Sequence, residues 1–430
     1  MTRIRPAAAA ALLLALAGCT TRSAPADPEA APPPEETAAT TPSPAPLPPD
    51  GSIYFAADAR AGRSLSGPVG FAEVEIRPQP MDIYLSRRAE PVRRVIATDA
   101  HERCPAVSPD GSRLAYLEDA TVVIVPLDEN GDPGAADVRV ALDPQDLYAP
   151  SLYRERNHAG GACPQWSPDG RRLGYEVTLG DPGTLLHDTL TAEIHGVTLD
   201  GTDRVLASFA TQVWHAEPDF AWSPDADAVA YTTVEGVWLA PLGHGAPQLV
   251  WRAPAGDLAR IQALDYDRPI SLAWSPEGAL AFTVRGFEPT ERGPMGGGRE
   301  TRRVVVIDPG SGRVLLRAPA AETEGTGSEL WSPDGSRLLF RSRDGRILLF
   351  EPASRTTVRV RPRLAAGSRV TFSDPTWSPD GRQLLVHARH DNRGFVLVSV
   401  PVDGSAGEVR TPWTWALDWT ALDDVAWSAR

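Results

Sequence analysis

Any chemistry in this chain must come from carboxylates, histidines and cysteines, since all 42 basic residues are arginine and lysine is absent. That excludes Schiff-base catalysis and a phosphate-loop lysine. No Gly-x-Ser-x-Gly, His-Glu-x-x-His or EF-hand string occurs either. What remains is a set of residues at like positions. Cys104, Cys163, Asp219, Ser271, Ser328, Asp374 and Asp424 each stand three residues before a Trp, or before the Val that replaces it at 107. Three of them are carboxylates, which in pairs act as acid and base in lyases and hydrolases. Two are cysteines, which either join His101, His158 and His215 upstream in a zinc-type ligand set or pair with each other. Small polar residues at such places also serve simply as strand caps.

Those positions are alike because the chain repeats. Trp-Ser-Pro-Asp-Gly stands complete at 166–170, 331–335 and 377–381, with variants at 107–111, 222–226 and 274–278. Successive serines, at 108, 167, 223, 275, 332 and 378, are 46–59 residues apart. A further Trp427-Ser428 stops at the chain end, and its missing half, Pro49-Asp50-Gly51, precedes Ile53-Tyr54-Phe55. One copy is therefore split between the termini. In each turn proline sets φ, Asp bonds its own backbone and Gly takes the left-handed angle. Alternating apolar residues follow, as in Arg337–Phe340, then two more strand-like runs, with no amphipathic helix between them. Four strands at this period predict propeller blades. Six whole copies and one split copy predict an all-β, seven-bladed propeller over residues 50–430, with six or eight blades as alternatives. Pairing of Asp424–Trp427 with Ser52–Phe55 would close the ring and remove exposed edges.

Trp-Ser-Pro-Asp-Gly followed by a basic or polar pair and an apolar triplet resembles the TolB-like, WD-repeat-like propeller family. The same blade type caps prolyl-oligopeptidase enzymes. The resemblance extends over nearly all of residues 50–430 and departs at Val107, Ala226 and Glu277, where single turns are expected to be weaker. It implies binding of proteins or peptides at the cell envelope and no one activity.

The N-terminus carries Arg3 and Arg5, then an apolar run from Ala7 to Ala17 that is too short to span a bilayer. It ends in Leu16-Ala17-Gly18-Cys19, which resembles the lipobox of bacterial lipoproteins. By that resemblance residues 1–18 are a signal peptide and Cys19 bears the lipid. Residues 19–49 follow as a Pro-rich tether, with ten prolines after Thr20 and no large apolar residue except Leu47. Such a segment reaches up to ~90 Å at ~3.1 Å per residue. Loss of Arg3 and Arg5 takes the net charge from −14 to −16, the wrong sign for a nucleic-acid binder. The expected location is extracytoplasmic, held to the bacterial membrane by acyl chains alone. That setting is oxidising, so a Cys104–Cys163 disulfide is expected ahead of free thiols or the metal set.

Alternate connections of an antiparallel blade lie on one side of the disc. The Ser-Pro-Asp-Gly turns define one side, the turn face. The loops approaching each first strand and the longest insertions (57–80, 179–191 and 286–301) define the other, the loop face. Long loops on one side of a rigid scaffold carry function. Tyr153, Arg154, Arg156, Trp214, Tyr266, Trp415 and Trp419 map there with Asp219, Asp374 and Asp424, and form the expected ligand surface. Trp415 and Trp419 fit a lid over the last blade equally well. The expected function is a non-catalytic, monomeric scaffold or sensor for an envelope protein, peptide or glycan, without a cofactor. The alternative is a propeller lyase or hydrolase working through Asp219, Asp374 and Asp424.

Overall fold

A computed structural model describes residues 51–58, 81–87, 90–142, 163–179, 189–212, 219–243, 245–253, 268–289, 298–317, 331–341, 346–360, 370–390, 394–403, 408–410 and 425–428. They form strands and turns, with no helix. The strands fall into seven antiparallel sheets, the blades of a β-propeller. Blade 1 comprises β1 (Ser52–Asp58), β2 (Met81–Ser86), β3 (Arg93–Ile96) and, inside β1, the last strand β27 (Val425–Ser428). Blade 2 runs outward as β4 (Glu102–Val107), β5 (Arg113–Glu118), β6 (Thr121–Pro126) and β7 (Val138–Ala141). Blade 3 is β8 (Gln165–Trp166), β9 (Arg172–Leu179), β10 (Thr189–Thr198) and β11 (Asp203–Gln212). Blade 4 is β12 (Phe220–Trp222), β13 (Ala228–Thr233), β14 (Gly236–Pro241) and β15 (Gln248–Arg252). Blade 5 is β16 (Arg268–Trp274), β17 (Leu280–Pro289), β18 (Gly298–Asp308) and β19 (Arg313–Arg317). Blade 6 has β20 (Leu338–Arg341), β21 (Ile347–Glu351) and β22 (Thr356–Val360), with a single Trp331–Leu338 bridge on its inner side. Blade 7 is β23 (Val370–Trp377), β24 (Gln383–His390), β25 (Gly394–Pro401) and β26 (Glu408–Val409).

Closure occurs where the split repeat demands it. Ser52 pairs with Ser428 and Phe55 with Val425, one residue along from the expected strand. The core sits between blades and not within one. Cys104, Leu117 and Ile124 of blade 2 pack on Leu173, Tyr175 and Val177 of blade 3, and Ala221, Ala230 and Val237 of blade 4 pack on Leu280 and Phe282 of blade 5. Both faces of strands such as β5 and β6 are covered, which is why the runs Leu114–Leu117 and Val122–Val125 are buried without alternation. Each large side chain so buried contributes ~1.5–3 kcal/mol.

The repeat turns share one hydrogen-bond pattern. The serine hydroxyl donates to the Asp carboxylate two residues on, at 2.6 Å, in the turns beginning at Ser108, Ser167, Ser223, Ser332 and Ser378. The same oxygen accepts the N–H of the residue opening the next strand, as from Arg172 at 3.0 Å. These serines are at most 4% exposed, so they are structural hydroxyls. The three departures behave differently from one another. The turn after Val107 keeps the full pattern, with Gly111 at φ 70°. Ala226 adopts φ 58°, where its Cβ costs ~1–2 kcal/mol. With Glu277 in place of Asp, Ser275 keeps its acceptor role toward the Ala279 N–H at 3.0 Å. Neighbouring turns also nest: a Cβ on Gly335 would lie 3.1 Å from Cδ of Pro276 in the preceding blade.

Candidate functional site

Three of the residues that stand three before a repeat Trp, or before Val107, tie blades together. Cys104 of blade 2 and Cys163 of blade 3 form a disulfide, with an S–S distance of 2.04 Å and Cα atoms 5.2 Å apart, inside the ordinary range for a bridge. Asp219, at the same place in blade 4, accepts the backbone N–H of Leu272 in blade 5 at 2.7 Å. A β-bulge aims that N–H: pairing shifts between Ile270 and Ala273, and Ser271 takes φ 56°. The same shift occurs between Arg103 and Ala106, where Cys104 has φ 56°, and between Ser373 and Thr376 around Asp374. Asp219 as a residue is half-buried, yet burial of its carboxyl group pushes the pKa up to about 6, against the hydrogen bonds from Leu272, Phe220 and Ser271. Its geometry is that of a strut. Sequence reading had no signal for the bulges that make it one.

His101 is buried, and its Nδ1 accepts the N–H of Met81 at 3.1 Å, joining blade 2 to blade 1. Among the described residues no three His, Cys, Asp or Glu side chains converge as a metal-holding group. Of the loop-face candidates, Tyr153, Arg154, Arg156, His158, Trp214, His215, Tyr266, Trp415, Trp419 and Asp424 lie outside the described residues, as does Cys19, and Asp374 is described by its main chain alone.

Sequence reading passed over two carboxylates on the same face. Glu102 is 0% exposed, and its Oε1 accepts the Thr98 N–H at 2.9 Å and the Thr98 hydroxyl, while Oε2 has no partner. Burial, then the nearby Asp82 charge, raises its pKa against the opposing Thr98 hydrogen bonds. Asp82, 1% exposed, receives Arg94 at 2.5 Å. Neither has the solvent access that acid–base chemistry on a substrate requires.

The two faces differ in relief. On the loop face β17 and β18 stay paired out to Pro289 and Gly298, and β9 and β10 to Leu179 and Thr191. Blades 2 and 4 turn back at once, at Glu118–Thr121 and Thr233–Gly236. At the turn-face end of the axis lies a cavity of about 420 Å³. Trp274, Trp331, Trp377 and Trp427 line it with Val107 and the turn residues Pro109, Pro333 and Pro379. The repeat Trp residues also clasp blades. Trp166, Trp222 and Trp274 donate their indole N–H to Ala106, Gln165 and Ala221 carbonyls of the preceding blade, at 3.0, 3.1 and 3.2 Å. Trp331 makes no such bond, and its buried Nε1 has no partner among the described residues.

The sequence matches no protein-family model and no curated protein. The seven sheets define the class, a β-propeller of seven blades. The chain is similar to puromycin hydrolase, at 12% identity and a TM-score of 0.54, over 86% of this chain and 53% of that one. It is also similar to an oligogalacturonate lyase from Vibrio parahaemolyticus, at 11% identity and a TM-score of 0.49, covering 72% and 80%. A putative TolB from Agrobacterium tumefaciens follows at 14% identity and a TM-score of 0.39, covering 88% and 98%. At such identities the likeness is one of fold.

Proposed function

We propose that this chain is a lipid-anchored, extracytoplasmic propeller that binds an envelope protein, peptide or glycan on its loop face and performs no catalysis. The observation that carries this is the relief of that face, where long hairpins alternate with short ones on a disc whose blades are bolted together. A scaffold already ordered leaves only the loops to adjust on binding, which lowers the entropic cost of association. The rival lyase or hydrolase draws less support, because the Asp219 carboxylate it needs is occupied by a backbone N–H of the next blade. The anchor reading rests on Arg3, Arg5 and the Leu16–Cys19 string.

Two measurements test it. The parent is expected with membranes, and Cys19→Ser in the soluble extracytoplasmic fraction or as an unprocessed precursor; unchanged fractionation and mass refute the anchor. A partner captured from the membrane fraction should lose more than ~1 kcal/mol of affinity for the Trp415→Ala, Trp419→Ala double variant. Arg171→Glu and Arg382→Glu, on the turn face, should retain it. The reverse pattern means that the partner docks on the other side.

A further inference from the structure

We infer that the Trp-lined cavity at the turn-face end of the axis is a second, independent site, and that it takes a neutral, hydroxyl-rich sugar. Its existence follows from one departure in the repeat. By the offset of Trp166, Trp222 and Trp274, a Trp at position 107 would wedge between blades 1 and 2 and address the carbonyl of Ala426. Val107 stands there instead and lines the cavity, its smaller side chain leaving space that an indole would fill. The turn that follows Val107 is intact, so the substitution empties space without loosening the blade.

The wall chooses the ligand. Four indoles offer aromatic surface, whose negative π-faces attract the polarised C–H groups of a sugar ring. The Trp331 N–H is buried and has no acceptor among the described residues, so a small turn of this wall indole on ligand entry would give it a ligand oxygen as acceptor. Among the described residues no arginine lines the cavity, and Asp110 is the one charged side chain there. Hydrogen bonds from Ser108 and Ser112 hold the Asp110 pKa down to about 2, so it stays ionised and repels anionic ligands. Uronates and phosphorylated sugars are thereby disfavoured. A volume of about 420 Å³ lies in the ~300–1,000 Å³ range of small-ligand sites and suits a short saccharide.

The test is titration of the folded chain with cellobiose, maltotriose and N,N′-diacetylchitobiose, read by calorimetry and indole fluorescence, with digalacturonate and a polyproline peptide alongside. Saturable binding of at least one neutral sugar is expected, with digalacturonate and polyproline silent. Val107→Trp restores the repeat consensus and should weaken binding at least ~10-fold by filling the cavity. Trp331→Phe keeps a ring, removes the donor and should weaken it ~3–10-fold. Should Val107→Trp fail to fold, Trp331→Phe carries the test alone. No binding of any neutral sugar at millimolar concentration overturns the inference. So does undiminished binding by both variants, or a preference for the uronate or the peptide. None of these outcomes bears on loop-face capture of a partner, which is read separately.

Discussion

The turn face and the loop face hold the same seven blades together by different means. On the turn face the fastening is repeated: a buried Ser hydroxyl closes the turn on an Asp carboxylate, Gly of one turn sits over Pro of the last, and indole N–H groups reach back to a carbonyl. Each indole–carbonyl bond is worth ~0.5–1.5 kcal/mol, and the loss of one is tolerable. On the loop face the fastening is irregular and strong, with a disulfide between blades 2 and 3, a buried carboxylate between blades 4 and 5, and a buried histidine between blades 1 and 2. The face whose loops vary most is the one whose inner strands carry the stiffest ties. Regularity stabilises one side, and singular chemistry lets the other diversify without opening the ring.

The largest effect expected from breaking this contrast is at the disulfide. A bridge spanning 59 residues contributes about 4 kcal/mol by the chain-entropy account. Cys104→Ser with Cys163→Ser should lower stability by about that much in urea, and thiol labelling of the unreduced, unfolded parent should find neither cysteine reactive. Labelling of both would overturn the bridge.

The next effect is pH-dependent and belongs to Asp219. Its folded-state pKa of about 6 lies above the ordinary 3.8, so the folded state holds this proton more tightly than the unfolded one. The contribution is therefore most favourable below about pH 4 and is lost as pH rises through about 6. At ~1.4 kcal/mol per pKa unit the change is on the order of 2–3 kcal/mol. Asp219→Asn should gain on the parent by that amount between about pH 4 and 6.5, in urea midpoints taken across the range. A difference between the two proteins that does not vary with pH refutes the role.

The smallest effect compares two tryptophans of the turn face. Trp222→Phe discards a bond to Gln165, whereas Trp331→Phe discards none. The first should cost about 1 kcal/mol more than the second in the same denaturation experiment. Equal costs would mean that the indole clasps are incidental to packing.

Much of this architecture was legible because a propeller repeat is local. Ser-Pro-Asp-Gly specifies its turn within a few residues, and the half-repeats at Gly51 and Trp427 announced the closure that Ser52–Ser428 pairing completes. Cys104 and Cys163 were readable as partners because equal offsets in adjacent repeats put them at equal heights on adjacent blades. The site residues were less legible. By its position Asp219 belongs to the expected loop-face ligand surface, and nothing in Ile270–Ala273 reveals a bulge that turns the Leu272 N–H toward it. Glu102 and Asp82 went unnoticed because their closeness depends on blade 1 docking on blade 2. Val107 read as a weak turn, while its consequence lies across the axis, in space shared with blades 5, 6, 7 and 1.

The amino-acid sequence alone thus determined the blade repeat, the chemistry of its turns and the split that closes the ring, since each rests on contacts within one repeat or between neighbours at fixed offset. The tertiary structure decided which polar groups are struts, which indole N–H is left without an acceptor, and where the axis is hollow. Those outcomes depend on how sheets pack against one another, and burial and unmet hydrogen bonds exist only once that packing is made.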